Sequence, residues 1–150
     1  MERRLLEFER DGEKLVLMQR LSREINFPGL AYNEQAFRQS LRSAARRGQI
    51  YVYEIDGELV GYLWVDLAKP KTGAHVRHVQ VAEAHWGEGL GRAIMEDAIA
   101  MCTERRCQAI TLNVTKSNRR AVSLYSRLGF VPVEDHGDRQ RMRLVLLRGR

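Results

Sequence analysis

Three glycines at alternate positions, Gly87, Gly89 and Gly91, stand in the segment 81–92, Val-Ala-Glu-Ala-His-Trp-Gly-Glu-Gly-Leu-Gly-Arg, after an extended run and at the start of a helical one. Glycine lets a backbone turn sharply and brings successive N–H groups close to a ligand. A helix N-terminus adds amides without intrahelical partners and about half a positive charge. Together these make a phosphate cradle. A Walker loop is excluded, because no Gly-Lys-Ser/Thr is present. A dinucleotide fingerprint is excluded as well, because the last glycine of GxGxxG would fall on Arg92 or Ile94.

Other side chains carry further chemistry. Asn118 and Tyr125 are seven residues apart in a helical run and lie on nearly one face, two turns from each other. Asn118 reads either as a helix N-cap or as a ligand contact. Tyr125 reads either as a core aromatic with its hydroxyl at the rim or as a ligand contact. His75 and His78 share an extended run, and an imidazole with an ordinary pKa near 6.5 accepts a proton at neutral pH. A metal pair is disfavoured, since no third ligand follows at a usual spacing. Cys102 and Cys107 are five apart and read as reduced thiols, with Cys102 in the core.

The stretch Trp86-Gly-Glu-Gly-Leu-Gly-Arg92 resembles motif A of the GNAT acetyltransferase superfamily, whose loop reads Gln/Arg-x-x-Gly-x-Gly/Ala; Trp86 stands where Gln or Arg is usual. Downstream, residues 118–130 are similar to motif B, Asn-x-x-Ala-x-x-Leu-Tyr-x-x-x-Gly-Phe, and match every fixed position through Asn118, Ala121, Leu124, Tyr125, Gly129 and Phe130. The resemblance covers about His75 to Val133. It implies acetyl-CoA as cosubstrate and transfer of the acetyl group to a primary amine by direct attack on the thioester. It places the pyrophosphate on the backbone of Trp86, Gly87, Glu88, Gly89, Leu90, Gly91 and Arg92. It places the pantetheine arm beside Val79, Gln80 and Val81, with Asn118 and Tyr125 as further contacts. Lys116, Arg119 and Arg120 are also within motif reach of phosphate. Tyr125 is the implied acid for the leaving thiolate. His75 is the first choice of base and His78 the second, with Glu83 past the strand end. An N–H of Val79 or Val81 would face the carbonyl oxygen. Asn113 stands where bacterial ribosomal-protein N-terminal acetyltransferases carry a Glu, a role no amide can fill.

The elements that must position these groups follow from periodicity. Residues 4–8 read as a short strand. A helix runs from an Asp11 cap to about Arg23, with Leu15, Met18 and Leu21 on one face, until Asn26-Phe-Pro-Gly29 breaks it. Asn33 caps a second helix to about Arg47, with Gly48 as its stop. Residues 50–55 and 58–65 make a hairpin around Asp56-Gly57. In the strand 75–81 the apolar positions are 76, 79 and 81, and the step of three marks a β-bulge. A helix at 90–105, a strand at 109–114, a helix at 119–128 and strands at 130–133 and 142–147 follow. Pro28, Pro70 and Pro132 sit at element boundaries. The expected fold is α/β: a GNAT-type mixed, mostly antiparallel sheet with about four helices in one domain, 1–150.

Composition sets the remaining bounds. The chain has 150 residues, 44% hydrophobic and 29% charged, which suits one globular domain and excludes disorder. No apolar run approaches membrane length and the N-terminus lacks a signal-peptide pattern, so a cytoplasmic location without membrane contact is expected. The net charge is +6, and only Lys14, Lys69, Lys71 and Lys116 among the 25 basic residues are lysines. Arginine suits flat anions, and a positive field suits a polyanionic small ligand or nucleic acid. No nucleic-acid signature appears, however. For the acceptor amine, Phe27, Pro28, Leu30 and Tyr32 read as one wall. Glu134, Asp135 and Asp138, in the last connection, would attract a cation. The acceptor is expected to be a small amine or a peptide or protein amine. The strand 142–147 reads as an edge through which a homodimer would pair. The competing readings are a non-catalytic acyl-CoA sensor and a basic nucleic-acid-binding domain.

Overall fold

The computed structural model describes residues 1–67 and 73–147. Pro70 lies outside the described residues. Seven strands form a sheet in the order β1-β2-β3-β4-β5-β7-β6. They are β1 (Glu2–Leu5), β2 (Ile50–Ile55), β3 (Glu58–Asp66), β4 (Ala74–Val81), β5 (Ala109–Thr115), β6 (Val131–His136) and β7 (Arg139–Val145). Among the described residues four α-helices accompany them: α1 (Phe8–Asn26), α2 (Glu34–Arg46), α3 (Leu90–Glu104) and α4 (Arg119–Arg127). The pair β4–β5 is parallel, as a strand-helix-strand crossover requires, and the pairs β1–β2, β2–β3, β5–β7 and β6–β7 are antiparallel. This is the expected α/β architecture. Among the described residues no helix is long and apolar enough to cross a membrane.

The chain divides into two compact units. The first comprises Met1–Trp64 and His78–Ile94. Its core joins Leu15 and Val16 of α1, Phe37 and Leu41 of α2, and Val52, Tyr62 and Trp64 of the β2–β3 hairpin. The buried face of α1 is Asp11, Gly12, Leu15, Val16 and Gln19. Two of these are polar. Of the expected apolar stripe, Leu15 is fully buried, Met18 packs against this core and Leu21 is half-buried. Asp11 is not the cap of α1. Glu7 is the N-cap, and Asp11 lies in the first turn with 1% exposure. Its carboxylate accepts the Glu7 N–H at 2.9 Å and a two-pronged pair from Arg4 at 2.7 and 2.9 Å. Burial alone would raise the Asp11 pKa, but the Arg4 and Glu7 bonds outweigh it and hold it below its usual value. Asn33 does cap α2, accepting from Ala36 N at 2.9 Å.

The second unit holds the described residues of Val65–Arg77 and Met95–Arg150. Ile110, Leu112 and Val114 of β5 are buried in alternation, and Met95, Ala98, Met101 and Cys102 of α3 are buried at helical spacing. Both cysteines are free and buried. The register of β4 with β5 runs from Ala74↔Ile110 to Val76↔Leu112. Two expectations need correction here. The connection expected over residues 134–138 is mostly strand: β6 extends to His136 and β7 begins at Arg139, leaving a two-residue turn. The strand expected at 142–147 is not an edge. As β7 it lies between β5 and β6, and β6 is the edge. The strand expected at 130–133 is the first half of β6; its continuation through the charged Glu134, Asp135 and His136 carries no apolar signal and reads in the sequence as connection. Pro132 and these charges blunt the β6 edge against further pairing.

Candidate functional site

The glycine segment belongs to the first unit. A 3-10 turn, Glu83–His85, leads from β4 into it. Gly87 and Gly89 have φ of +84° and +78°, a region side chains disfavour, and a Cβ on either would meet nothing within 4 Å. The glycines are thus required by backbone conformation, and the space before them is open. Ala93 N donates to Gly89 O at 3.2 Å, so Gly89 is the residue just before α3 whose carbonyl accepts the helix's first bond. The first-turn amides of Leu90 and Gly91 have no acceptor inside the helix. No acidic residue occupies that first turn. The segment therefore presents amides and the positive end of α3, as a phosphate cradle must.

Three side chains fix the approach to this loop. Trp86 is 46% exposed, and its Nε1–H donates to Val81 O at 2.8 Å, tying the loop to the last residue of β4. The tryptophan at this position thus has a structural role that Gln or Arg would fill differently, and it engages the Val81 carbonyl. Gln80 Nε2 donates to Oε1 of the buried Gln19 of α1, so the Gln80 side chain is held by that helix. Val79 and Val81 are half-buried. Glu88 places a carboxylate beside the cradle, and His85 Nδ1 is 2.8 Å from it, with Glu58 at 3.7 Å from Nε2. The Glu88 bond raises the His85 pKa above its ordinary value. Arg92 is exposed. His78 packs among Phe37, Trp64 and Tyr62, with ring centroids 5.9, 5.2 and 6.5 Å away. That aromatic box gives His78 a packing role.

The helix α4 and the start of β4 belong to the second unit. Asn118 is the N-cap of α4 and accepts from Ala121 N at 3.2 Å. Tyr125 is the buried residue of α4, 9% exposed, with its ring 5.9 Å from that of Phe130. Burial pushes its pKa up to about 12, so it keeps its proton at neutral pH. Among the described residues its hydroxyl has no hydrogen-bond partner; the ring is covered while the hydroxyl reaches solvent. His75 is half-buried and its Nδ1 is 2.7 Å from Thr111 Oγ1. Burial, with Arg141 and Arg77, lowers its pKa below 6.5 and keeps it neutral at neutral pH. Asn113 Oδ1 accepts from Arg141 Nε at 3.2 Å.

The acidic residues of the last hairpin are already engaged. Asp135 binds Lys116 Nζ at 2.9 Å and Gly137 N at 2.9 Å, and Glu134 is 2.8 Å from His136 Nε2. Of the three acids expected to draw in a cationic amine, only Asp138 is outside such a pair among the described residues. Sequence reading missed Gly61, Gln19 and Thr111. A Cβ on Gly61 would lie 2.8 Å from Gln80 O, so β3 can approach the end of β4 only through a glycine there. A lone strand glycine is the sequence mark of such an approach.

The profile of the acetyltransferase (GNAT) family matches residues 15–130 of the sequence. The chain belongs to the GNAT family. Within that family it is 36% identical over 84 residues to a mycothiol acetyltransferase of Tsukamurella paurometabola, a match covering 55% of this chain and 29% of that protein. It is 36% identical over 93 residues to a 5-NmdU N-acetyltransferase of Pseudomonas phage PaMx11, covering 61% of this chain and 63% of that protein. The matched region thus spans less than two thirds of either curated relative. In fold, the GNAT chain is similar to the PaiA N-acetyltransferase of Thermoplasma acidophilum, crystallised with coenzyme A. The TM-score is 0.81 at 18% identity, over 96% of this chain and 98% of that one.

Proposed function

We propose that residues 1–150 act as one GNAT domain that moves an acetyl group from acetyl-CoA to a primary amine. The observation that carries the reading is the open cradle of residues 86–92, where two left-handed glycines precede the N-terminus of α3. Open space and unshared amides fit a pyrophosphate, and the absence of an acid in the first turn removes an obstacle to it.

Acetyl-CoA supplies the activated acetyl thioester. The Trp86 N–H is donated to Glu83 O at 3.1 Å, so the amides from Gly87 onward to Arg92 bind its phosphates, with the Arg92 side chain and Asn118 as further contacts, and Val79, Gln80 and Val81 flank its arm. An N–H of Val79 or Val81 stabilises charge that develops on the carbonyl oxygen. His75 accepts the proton released as the amine nitrogen bonds to the acetyl carbon, and its lowered pKa keeps it ready at neutral pH. Tyr125 donates the proton taken up by sulfur as the carbon–sulfur bond breaks. Its unpartnered hydroxyl and its pKa of about 12 suit a group that holds a proton until a thiolate appears. The soluble, cytoplasmic setting expected from the sequence suits such an exchange.

The reading is tested by incubating the protein with acetyl-CoA and a panel of amines and following free thiol. Amine-dependent thiol release with an acetylated product supports it. Tight CoA binding without release from any amine would instead indicate an acyl-CoA sensor.

A further inference from the structure

We propose that the polar face of β5, β7 and β6 holds an anionic substituent, a carboxylate or a phosphate, carried by the acceptor amine. The inference rests on the acetyltransferase reading and adds the class of acceptor.

Register builds the face. Asn113 pairs with Arg141 and Thr115 with Arg139 across β5 and β7, while Glu134 and His136 of β6 stand opposite Arg141 and Arg139. Asn113, His136, Arg139 and Arg141 line a shallow cavity of about 240 Å³. Arg141 is oriented by Asn113, which accepts from its Nε. An amide is neutral, so it fixes the guanidinium without cancelling its charge. Glu134, 3.9 Å from Arg141 Nε, is itself bound to His136 at 2.8 Å. The terminal nitrogens of Arg141 and the whole Arg139 guanidinium have no partner among the described residues. A planar fork held at one end, with its other donors open, matches a carboxylate or phosphate.

A second observation agrees. Among the charges of the described residues that act on His75, Arg141, Arg77 and Arg139 all disfavour its protonated form, and Asp66 opposes them. The field at the proposed base is therefore positive. That field repels a second cation and favours an acceptor whose amine is accompanied by an anion. The anion does not react; it binds the arginines while the amine meets His75.

The test compares ethylamine, β-alanine and aminoethylphosphonate, which share one aminoethyl group, as acceptors. The expected result is a kcat/KM at least about 10-fold higher for one or both anionic amines, as charge-assisted hydrogen bonds allow. The two anionic probes distinguish a carboxylate from a phosphate. Asn113→Asp, which supplies a neutralising charge at nearly constant shape, and Arg141→Gln should each bring the ratio close to one. The rise in Tm with CoA, measured in both variants, reports that fold and cosubstrate binding persist. Equal kcat/KM for the three amines, or a preference that survives Arg141→Gln in a CoA-responsive protein, would overturn the proposal. If no amine is acetylated, the transfer reading fails by itself. The anion site is then read by calorimetry of β-alanine and aminoethylphosphonate with the CoA-saturated protein: heat lost in Arg141→Gln supports it, and no heat with either probe refutes it.

Discussion

Thr111 Oγ1 lies 2.7 Å from His75 Nδ1 and 3.5 Å from the carbonyl oxygen of Ala74. When the hydroxyl donates to that carbonyl, its oxygen accepts from Nδ1–H, and the imidazole lone pair is left on Nε2. A neighbour thus selects the tautomer in which the far nitrogen can take a proton. Thr111→Val should lower kcat/KM by about 10-fold while preserving CoA binding, since it removes an orienting partner rather than the base. An unaltered rate would show that His75 is not the base or needs no orientation.

The charge around His75 gives a pH test. Its folded pKa is lowered, first by burial and then by Arg141 and Arg77. The acid limb of kcat/KM should therefore fall below pH ~6.5, the ordinary imidazole value. Arg141→Gln should move that limb upward, and His75→Ala should abolish it. The same shift acts on stability. The unfolded chain binds the proton first, so this contribution is full above about pH 6.5 and is lost as pH falls toward the folded value. Coincident limbs in the wild type and Arg141→Gln would contradict the assignment.

Tyr125→Phe tests the acid. It leaves the ring against Phe130 and deletes a hydroxyl with no protein partner among the described residues. Turnover should fall by about 10²-fold or more, with little change in Tm or CoA affinity. Full turnover in the phenylalanine variant would mean that water or another group protonates the thiolate.

Glu88 lies in the cradle, and His85 compensates its charge at 2.8 Å. Because the His85 pKa is raised, the imidazolium persists somewhat above the ordinary value near 6.5 and is lost as pH rises further. CoA affinity should then weaken with rising pH, as Glu88 is left uncompensated beside the phosphates. Glu88→Gln should tighten binding several-fold at low salt and flatten this dependence. Identical pH profiles of Kd in the two proteins would place Glu88 away from the phosphates.

Arg4 and Asp11 make the clearest stability prediction. Asp11 is 1% exposed and depends on Arg4 for its charge. Arg4→Met should cost about 3–5 kcal/mol in denaturant unfolding near pH 7, because it strands a buried carboxylate. Adding Asp11→Leu should restore most of this, short of about 1 kcal/mol for the lost Glu7 N–H bond. The lowered Asp11 pKa stabilises the fold above the unfolded value of about 4, and that stabilisation disappears as pH falls through the folded value. A single variant as stable as the wild type would show that the pair is not a structural necessity.

Much of this was legible in the residues, and the misses share a cause. Alternation marked 109–114 and helical spacing marked 90–105, because one face of each is apolar and buried, while the apolar runs 50–55 and 58–65 around Asp56-Gly57 marked a hairpin whose second strand is buried on both faces. The start of β6 was legible at 130–133, but its charged, exposed second half, Glu134 to His136, has no buried face to mark it, and the early start of β7 at Arg139 was lost with it. The full α1 face was obscured because Asp11 and Gln19 lie on it, a placement that only their partners Arg4 and Gln80 make tolerable. The cradle was visible because Gly87 and Gly89 are demanded by backbone conformation. Gly61, Thr111 and Gln19 were not, because each acts through a residue far away in sequence.

The most direct measurement is a calorimetric titration of acetyl-CoA, CoA, ATP and NADH into the wild type and Gly89→Glu. Gly89 has φ of +78°, so a glutamate there would strain the loop and set a negative charge in the cradle. The account predicts selective binding of the two CoA species by the wild type and loss of that binding by more than about 100-fold in a folded variant. No CoA binding by the wild type, a preference for ATP or NADH, or undiminished affinity in Gly89→Glu would contradict it.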